Sequence, residues 1–262
     1  MRTPRFFVPD TPDGAPLRDL AAGATVLLPD DANHHARRVL RLRPGDIVAL
    51  FDGAGYEAEA VLAEAPAGAP ENASRYAARI VSSAAIDREA GVAITLVQAL
   101  SASEKIDWLL EKCVELGVAR LVLAPAQRSV VRLEAARGAR RLERWRDIGI
   151  AACCQCGRNR LMDIALAEDL AGALRAGRPD PGAAWILDPS ATVALATAPA
   201  GGAGLPIACA IGPEGGFTDG EMALAESIGY TRARLGPRVL RTETAGLATV
   251  TALLALGGEY AR

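Results

Sequence analysis

From about residue 90 onward, apolar runs of strand length alternate with runs of helical periodicity, and this alternation constrains the fold most. Residues 91–100, GVAITLVQAL, form a continuous apolar run that is typical of a strand buried on both faces. An amphipathic run follows, with Ser101 and Glu104 in the spacing of a capping box, and ARLVLAP is the next strand. The order recurs towards the C-terminus. It predicts a parallel sheet with helices on both faces.

The predicted elements of the later part of this region are a helix over 139–156, strands in 185–190, 205–212 and 232–236, a helix begun by the Thr218–Glu221 capping box, and a last helix from Thr242 to about Leu256. Residues 1–86 read differently, as short strands divided by Pro-Gly, Asp-Gly and Gly-x-Gly turns, with a short helix over 33–40 and a surface loop over 65–73. Such punctuation is typical of a small β-barrel or sandwich. The sequence therefore predicts two domains, 1–86 and 87–262.

Composition sets the class of protein. No apolar run has the length of a membrane span, and the start, MRTPRFFVPD, has no apolar signal core, so we expect a soluble, cytoplasmic protein without a membrane partner. The five cysteines are odd in number and include Cys153, Cys154 and Cys156. No second Cys-x-x-Cys pair accompanies them, so we predict neither a disulfide framework nor a metal site.

The net charge of the whole chain is −2, but two stretches of the sequence are rich in arginine. Residues 128–160 hold nine arginines and three acidic residues, and residues 34–43 hold four arginines and no acidic residue. Each stretch is either a solvated face or part of a local phosphate-binding surface. Arginine rather than lysine supplies nearly all of this charge, which suits planar, bidentate contacts with phosphate.

Three predicted strands end in turns that bring backbone into one place: Leu187–Pro189, Gly212–Gly216 and Leu235–Pro237. The carboxyl ends of parallel strands are where α/β sheets bind ligands. The chain has neither of the glycine-rich phosphate-loop patterns, Pro213 removes a backbone donor, and Glu214 adds negative charge. These features favour an uncharged or cationic ligand over a pyrophosphate, and both adenine and a sulfonium fit that description.

The segment after the third turn, Arg238–Thr244, has two interpretations. Thr242 is a suitable N-cap for the last helix, and Glu243 is favourable in a first helical turn, so both have a structural reading. Glu243 is equally a candidate for catalysis. Arg238 and Arg241 lie on the loop that enters this helix and have no structural requirement, so we interpret them as phosphate or base contacts.

Five stretches carry a resemblance to a known family: HHARRVLRLRPGD, EKCVELGVARLVLAPAQRSVV, IAACCQCGRNR, IGPEGGFTDGE and LGPRVLRTETA. In this order and spacing the chain resembles, over nearly its whole length, the RsmE-type ribosomal RNA small-subunit uridine N3-methyltransferases of the SPOUT superfamily. The two C-terminal motifs are highly specific.

The resemblance implies a fold and an activity. The implied fold is α/β, with an N-terminal PUA-like β-barrel that helps bind RNA and a C-terminal SPOUT domain with a deep trefoil knot. The implied protein is a homodimer with S-adenosylmethionine as methyl donor and no metal. Its partner is small-subunit (16S) ribosomal RNA or the ribosomal subunit, and its product is 3-methyluridine.

We expect three groups of site residues. The cofactor-binding group is Leu187, Asp188, Pro189, Ile211, Gly212, Pro213, Glu214, Gly215, Gly216, Leu235, Gly236, Leu240 and Thr242. The group that contacts substrate RNA is Arg37, Arg38, Arg41, Arg128, Arg158 and Arg238. The catalytic group is Arg241, Glu243 and Glu115.

One departure from the family bears on the catalytic group. Relatives commonly have Glu-Gln where this chain has Cys154-Gln155, which leaves Glu243 or Glu115 as candidate proton acceptors. Two other functions stay open at this point. One is methylation of another RNA position, such as a ribose 2′-hydroxyl, and the other is a non-catalytic RNA-binding assembly factor. A nucleotide-binding protein without an RNA substrate is disfavoured by the missing phosphate loop.

Overall fold

The computed structural model describes residues 3–9, 16–66, 76–131, 135–197 and 204–261, with the backbone alone at 135–137. The chain divides into two compact units, Met1–Arg88 with Cys153–Leu161, and Glu89–Ala152 with Met162–Arg262. The predicted division into 1–86 and 87–262 stays a prediction, and these units differ from it in placing Cys153–Leu161 in the first. Residues 67–73 of the predicted loop lie outside the described residues.

The first unit is built on a five-stranded sheet in the order β1-β3-β4-β5-β2. Its strands are β1 (Arg5–Phe7), β2 (Thr25–Leu27), β3 (Ile47–Phe51), β4 (Tyr56–Glu64) and β5 (Tyr76–Ala85). β1 runs parallel to β3, and the other pairs are antiparallel. In β4 the buried residues Ala58, Ala60 and Leu62 alternate with more exposed ones, as one buried sheet face requires. The predicted strands of this region are found, and β1 was missed.

The helix predicted over 33–40 begins earlier and is not uniform. Helix α1 covers Asp30–His34, after Pro29, and continues as a π-helical turn, His35–Val39. The N–H of Leu40 donates to the carbonyl of His35, five residues back, at 2.9 Å. The turn ends at Arg41, whose φ of 55° lies in the left-handed region.

A buried arginine joins the segment 153–161 to the sheet of the first unit. The guanidinium of Arg5 pairs with Glu57 of β4, and its Nη2 donates to Asn159 Oδ1 at 2.5 Å. Arg88 Nη1 donates to the same Glu57 carboxylate at 2.7 Å and to the carbonyl of Gly157 at 2.8 Å. Burial alone would raise the pKa of Glu57, but the hydrogen bonds from Arg88 and Arg5 lower it to about 2.

The second unit contains a six-stranded parallel sheet in the order β11-β9-β10-β6-β7-β8. Its strands are β6 (Ile94–Ala99), β7 (Arg120–Ala124), β8 (Asp163–Leu166), β9 (Ala183–Leu187), β10 (Ile207–Ile211) and β11 (Thr231–Ala233). Its helices are α2 (Ser103–Glu115), α3 (Ala135–Cys156, whose last turn belongs to the first unit), α4 (Leu170–Gly177), α5 (Asp219–Ile228) and α6 (Thr242–Leu256). The predicted parallel sheet is confirmed, while β8 and α4 were not foreseen.

Both faces of this sheet are covered by helices. On one face, Val97 and Ala99 of β6 pack in a core with residues of α4 and α5, among them Leu174 and Met222. On the other face, a β carbon on Gly246 of α6 would lie 3.5 Å from Cδ2 of Leu96 on β6 and 3.3 Å from Cδ1 of Leu109 on α2. A strand enclosed in this way has apolar residues on both of its faces, which explains the unbroken apolar run from which the sheet was predicted.

The two predicted capping boxes have different outcomes. Thr218 and Glu221 form the reciprocal bonds of a capping box at the start of α5. The box predicted at Ser101 and Glu104 is wrong, because α2 begins at Ser103 and its N-cap, Ala102, has no side-chain cap.

Among the described residues, no helix is long and apolar enough to span a membrane. The trefoil knot stays a prediction.

The ion pairs of Glu57 generate a stability prediction for the first unit. A folded pKa of about 2 against an ordinary value of 4.5 means that Glu57 contributes its full stability above about pH 4.5 and loses it as the pH falls towards 2. We expect Glu57→Gln to lower the stability of β3 and β4 by about 3 kcal/mol at pH 7, since it also leaves Arg5 buried beside a neutral amide.

Amide hydrogen exchange of β3 and β4 at pH 7 measures this loss, and an acid titration followed by circular dichroism should show a shallower decline in the variant than in the native protein. Glu59→Gln, at an exposed position on the same strand, is the matched control and should exchange like the native protein. Native protection in Glu57→Gln would contradict the assigned role.

Candidate active site

A cleft of about 560 Å³ lies at the carboxyl ends of β9, β10 and β11. Its lining contains Leu187, Asp188, Pro189, Ile211, Gly212, Pro213, Glu214, Gly215, Gly216, Leu235, Gly236, Arg238, Val239, Leu240, Arg241, Thr242 and Ala245. Every residue predicted to bind the cofactor is in this lining. The volume is within the range that small-molecule sites occupy, and strand ends in a parallel sheet are the usual place for such sites.

Tightly folded backbone forms the wall after β10. The N–H of Gly216 donates to the carbonyl of Pro213 at 2.9 Å, and Gly216 has a φ of 68°, which favours glycine. A β carbon on Gly212 would lie 3.1 Å from the nitrogen of Phe217 and 3.2 Å from the carbonyl carbon of Gly216. Glycine therefore suits both positions, because a side chain would crowd the backbone at 212 and strain it at 216, and the loop contributes backbone to the cleft lining.

The hydroxyl of Thr242 fixes this loop to the rest of the unit. It donates to the carbonyl of Gly212 at 2.6 Å and accepts from Nε2 of Gln98 at 2.8 Å. The predicted role of Thr242 as N-cap is wrong, because Arg241 is the N-cap of α6 and the threonine hydroxyl is used in the cleft. Sequence reasoning missed Gln98, although a polar amide inside the apolar run of β6 was a signal. The structure shows that this side chain is fully buried, where an amide needs hydrogen-bond partners.

An acidic group and a lysine lie beside the same loop. Lys105, in the first turn of α2, donates to Glu214 Oε1 at 2.8 Å and lies 3.4 Å from Glu243 Oε2. The hydrogen bond that Lys105 donates to Glu214, together with the negative charges of Glu214 and Glu243, raises the pKa of Lys105. Burial opposes ionisation of Glu214, but the bond from Lys105 outweighs it and lowers the pKa of Glu214. Glu243 is half-buried next to Lys105, and it is not part of the cleft lining.

The second carboxylate in the lining, Asp188, is held after β9. Its Oδ1 accepts from the N–H of Ser190 at 2.8 Å and from the Ser190 hydroxyl at 2.7 Å, and Arg232 lies 3.6 Å from Oδ2. Burial would raise the pKa of Asp188, yet these bonds and the charge of Arg232 lower it. Asp188 and Glu214 are thus both ionised at neutral pH, and two negative charges in the wall suit a ligand with a positive charge.

Three arginines that the sequence analysis assigned to RNA contact or catalysis lie at or near the cleft. Arg238 and Arg241 are exposed and line it. Arg128, on the loop after β7, is also exposed, and its Nη1 donates to the carbonyl of Gly215 at 2.9 Å. The structure therefore brings Arg128 to the backbone of the predicted cofactor loop, which the sequence did not foresee.

Glu115 is not brought to the cleft. Helix α2 runs away from the carboxyl end of β6, so Lys105 in its first turn lies near the loop, and Glu115 in its last turn lies about 15 Å farther along the axis. The Glu115 carboxylate accepts instead from Lys112 at 2.8 Å. Helix direction therefore separates Glu115 from the cleft lining of its own chain, and its catalytic role stays a prediction.

The other predicted RNA contacts lie in the first unit. Arg37 stacks over the ring of Tyr76 at 5.3 Å, Arg38 is exposed, and both line a groove of about 430 Å³ that also contains Asp30 and Asp31. Arg41 follows the π-helical turn and is exposed. Arg158 differs from these, since only 4% of its surface is exposed, so its predicted contact with RNA has no support in this chain.

Three of the five cysteines are buried, and Cys154 and Cys156 are half-buried. The five cysteines are free thiols, and burial raises the pKa of Cys154 and, to about 12, that of Cys209. No group of three or more His, Cys, Asp or Glu side chains among the described residues could hold a metal ion.

Comparison with known proteins adds a family to this geometry. A family model described as an RNA methyltransferase domain matches residues 88–254, and a second, described as an RNA methyltransferase PUA domain, matches residues 28–69. The chain belongs to the RNA methyltransferase family. The cleft walls, from Leu187 to Ala245, lie inside the first match.

Relatives with solved structures share both units of the fold. The ribosomal RNA small subunit methyltransferase E of Neisseria gonorrhoeae, solved with S-adenosylmethionine, is 33% identical with a TM-score of 0.82, covering 97% of this chain and 98% of that one. A methyltransferase of Legionella pneumophila, solved with the same cofactor, is 30% identical with a TM-score of 0.83 and the same coverage. A curated ribosomal RNA small subunit methyltransferase E of Mycobacterium bovis is 30% identical over 97% of this chain and 92% of its own length.

The residues of the cleft fit S-adenosylmethionine. The loop Gly212–Gly216 offers main-chain groups to the edge of an adenine. The carboxylates of Asp188 and Glu214 complement the positive charge of a sulfonium. Leu187, Ile211 and Leu240 give the cleft apolar surface as well. Small-molecule sites commonly have this composition, an apolar lining with a few fixed polar groups.

The bonds of Thr242 generate a prediction with an internal control. Thr242→Val keeps the volume of the side chain but leaves the Gly212 carbonyl and the buried Gln98 amide without their partner. We expect it to destabilise the protein by about 1–3 kcal/mol and to weaken binding of S-adenosylmethionine.

Thr249 of α6 is the matched control, because it is also fully buried, and its hydroxyl has no hydrogen-bond partner among the described residues. Thr249→Val should therefore be neutral or slightly stabilising. Urea unfolding and titration calorimetry with S-adenosylmethionine measure both effects. Equal behaviour of the two variants would reject the role of the Thr242 hydroxyl.

Proposed function

We propose that the protein transfers a methyl group from S-adenosylmethionine to N3 of a specific uridine in small-subunit (16S) ribosomal RNA. The observation that carries this proposal is the cleft formed by three strand-end loops in a chain of the RNA methyltransferase family. Relatives that carry the name ribosomal RNA small subunit methyltransferase E support the RNA substrate, and two solved relatives that contain the cofactor support the donor. The choice of N3 follows from the resemblance of the Gly212–Gly216 and Leu240–Thr244 motifs to the uridine N3 enzymes.

The donor is held by main chain and by charge. The backbone of the loops after β10 and β11 offers N–H and C=O groups to the adenine edge, and Asp188 and Glu214 attract the sulfonium. S-adenosylmethionine, when bound, supplies an electrophilic methyl carbon. Neither carboxylate needs to move, since Ser190 holds one and Lys105 holds the other, so their charges are already in place.

The uridine must lose its imide proton, and its N3 must be aligned with the methyl group. Such alignment is a large part of the rate enhancement in any group transfer between two bound molecules. We assign Glu243 as proton acceptor, because Lys105 fixes its carboxylate near the cleft and Glu115 is far away. Arg241 lines the cleft and carries the charge that stabilises the uracil anion as the proton leaves.

The RNA partner is bound by arginine on both units. Arg238 and Arg241 stand exposed at the cleft, and Arg37, Arg38 and Arg41 cluster around the helical turn of the first unit. Guanidinium groups bind the phosphate backbone without reading sequence, so we assign these residues to positioning of the RNA. A ribosomal RNA substrate places the reaction in the cytoplasm, where ribosomal subunits are assembled.

Position mapping of ribosomal RNA tests the function. We expect 3-methyluridine to be absent from the 16S RNA of a strain that lacks this gene, and the purified protein to restore it on isolated small subunits with S-adenosylmethionine. Appearance of a ribose 2′-O-methyl group would instead assign the enzyme to another RNA position. Donor binding without any methyl transfer to RNA would support a non-catalytic assembly factor.

Arg241→Ala tests the catalytic assignment. We expect the turnover of methyl transfer to fall at least a hundredfold, because the charge that stabilises the uracil anion is lost, while the fold and the affinity for S-adenosylmethionine stay near native. Arg175→Ala, at an exposed position on α4 and outside both arginine-rich stretches, is the matched control and should keep native turnover. Near-normal turnover in Arg241→Ala would reject the assignment.

We further propose that the protein is a homodimer. Two helices that pack against each other in the second unit, α2 and α6, expose large apolar side chains, those of Trp108 and Leu256. The resemblance to the RsmE-type family implies a homodimer, and we assign these two exposed side chains to its interface. Light scattering should give twice the mass of one chain for the native protein and a shift towards the monomer for Trp108→Glu. A native protein that is monomeric at micromolar concentration would contradict the proposal.

A further inference from the structure

Arg128 makes an unexpected contact for a residue predicted to bind RNA. It is exposed on the loop that follows β7, and its Nη1 donates to the carbonyl of Gly215 at 2.9 Å. Gly215 belongs to the loop that walls the cleft. A side chain that served RNA alone would have no reason to be bonded to this main chain.

The loop that carries Arg128 is itself fixed. The buried Glu221 accepts a hydrogen bond from the N–H of Gln127 at 2.8 Å while it caps helix α5 through Thr218. Ser129 closes the turn, since its hydroxyl accepts from the N–H of Ala126 at 3.1 Å and its own N–H donates to the Ala126 carbonyl at 3.0 Å. The backbone on either side of Arg128 is therefore held, and its guanidinium reaches Gly215 from a defined position.

The side chain of Arg128 also lies against Gly215 along its length. A β carbon on Gly215 would be 3.1 Å from Cβ of Arg128 and 3.3 Å from its Cδ, closer than ordinary van der Waals contact. Glycine at 215 therefore makes room for the arginine side chain. The contact depends on both residues, and loss of either one releases the loop from this side.

A guanidinium can bind two partners at once. It has five N–H groups in a planar fork and keeps its charge, so one edge can hold a carbonyl while the exposed edge binds a phosphate. At Arg128 the inner edge is bonded to the wall of the donor cleft, and the rest of the exposed side chain can be reached by RNA.

We propose that Arg128 couples RNA binding to donor binding. RNA phosphate on the exposed edge orders the guanidinium, the guanidinium orders Gly215, and the cleft then binds S-adenosylmethionine more tightly. Arg128 is a positioning residue in this scheme, because it acts on the donor through the loop. The inference rests on the proposed function, since it takes the donor and the RNA from there.

Titration calorimetry with S-adenosylhomocysteine, which has no methyl group to transfer and so replaces the reactive donor, tests this coupling with and without unmodified 16S RNA. We expect the RNA to raise donor affinity of the native protein by about five- to fiftyfold, and the donor must raise RNA affinity by the same factor. In Arg128→Ala we expect donor affinity without RNA to fall by about tenfold, because the bond to Gly215 is lost, and the RNA-dependent gain to disappear.

Two further variants separate charge, geometry and folding. Arg128→Lys keeps the charge but lacks the planar fork, so it should bind RNA alone nearly as well as the native protein and still lack the coupling. Arg175→Ala, at an exposed position on α4, removes an arginine elsewhere in the same unit and should keep the native coupling. Native melting temperatures of the variants verify that they are folded.

Three outcomes overturn the proposal. Native donor affinity in Arg128→Ala, with weaker RNA binding, would make Arg128 a plain RNA contact. If Arg128→Ala binds the donor more weakly but RNA still raises donor affinity by the native factor, Arg128 only stabilises the loop. Failure of the native protein to bind S-adenosylmethionine at all would reject the proposed function together with this inference, and that result differs visibly from the other two.

Discussion

The cleft depends on the two hydrogen bonds of the Thr242 hydroxyl. Its two partners come from neighbouring parallel strands, Gly212 after β10 and Gln98 near the end of β6, and Gln98 stands beside Ile211 in the register of the sheet. That register brings a carbonyl and an amide to one point above the strand ends, where the first residue of α6 joins them. Arg241 and Glu243 flank Thr242 in sequence, so the bonds that fix Thr242 also fix the backbone of these two residues.

The charges around the cleft serve binding and structure at once. Each carboxylate in its lining has a cation paired with it, Lys105 for Glu214 and Arg232 for Asp188. For the half-buried Asp188 the pairing offsets the cost of taking a carboxylate out of water, whereas Glu214 is exposed and its pairing with Lys105 chiefly fixes its position. An incoming sulfonium then meets groups that are already ionised and bonded, so little reorganisation accompanies binding.

Local patterns predicted the parallel sheet and the residues of the cleft lining, because strand runs and Gly-Pro turns are encoded over a few neighbouring positions. Pairings between distant segments escaped prediction. Gln98 with Thr242 and Lys105 with Glu214 depend on strand register and helix direction, which no local pattern specifies. The same reason hid the distance of Glu115 from the cleft of its own chain, since its helix runs away from that cleft. The short, half-exposed strand β8 gave too weak a periodic signal to be recognised.

The first unit is discontinuous in sequence, and this has a consequence for how the protein is made. Arg5 needs Asn159, and Arg88 needs the carbonyl of Gly157, yet these partners are synthesised long after strand β5. A nascent chain that has emerged only as far as residue 88 holds two cations against Glu57 and lacks the groups that complete their bonds. The N-terminal unit therefore reaches its finished state only after residues 89–152 of the second unit have been synthesised, so the order of synthesis and the order of folding differ.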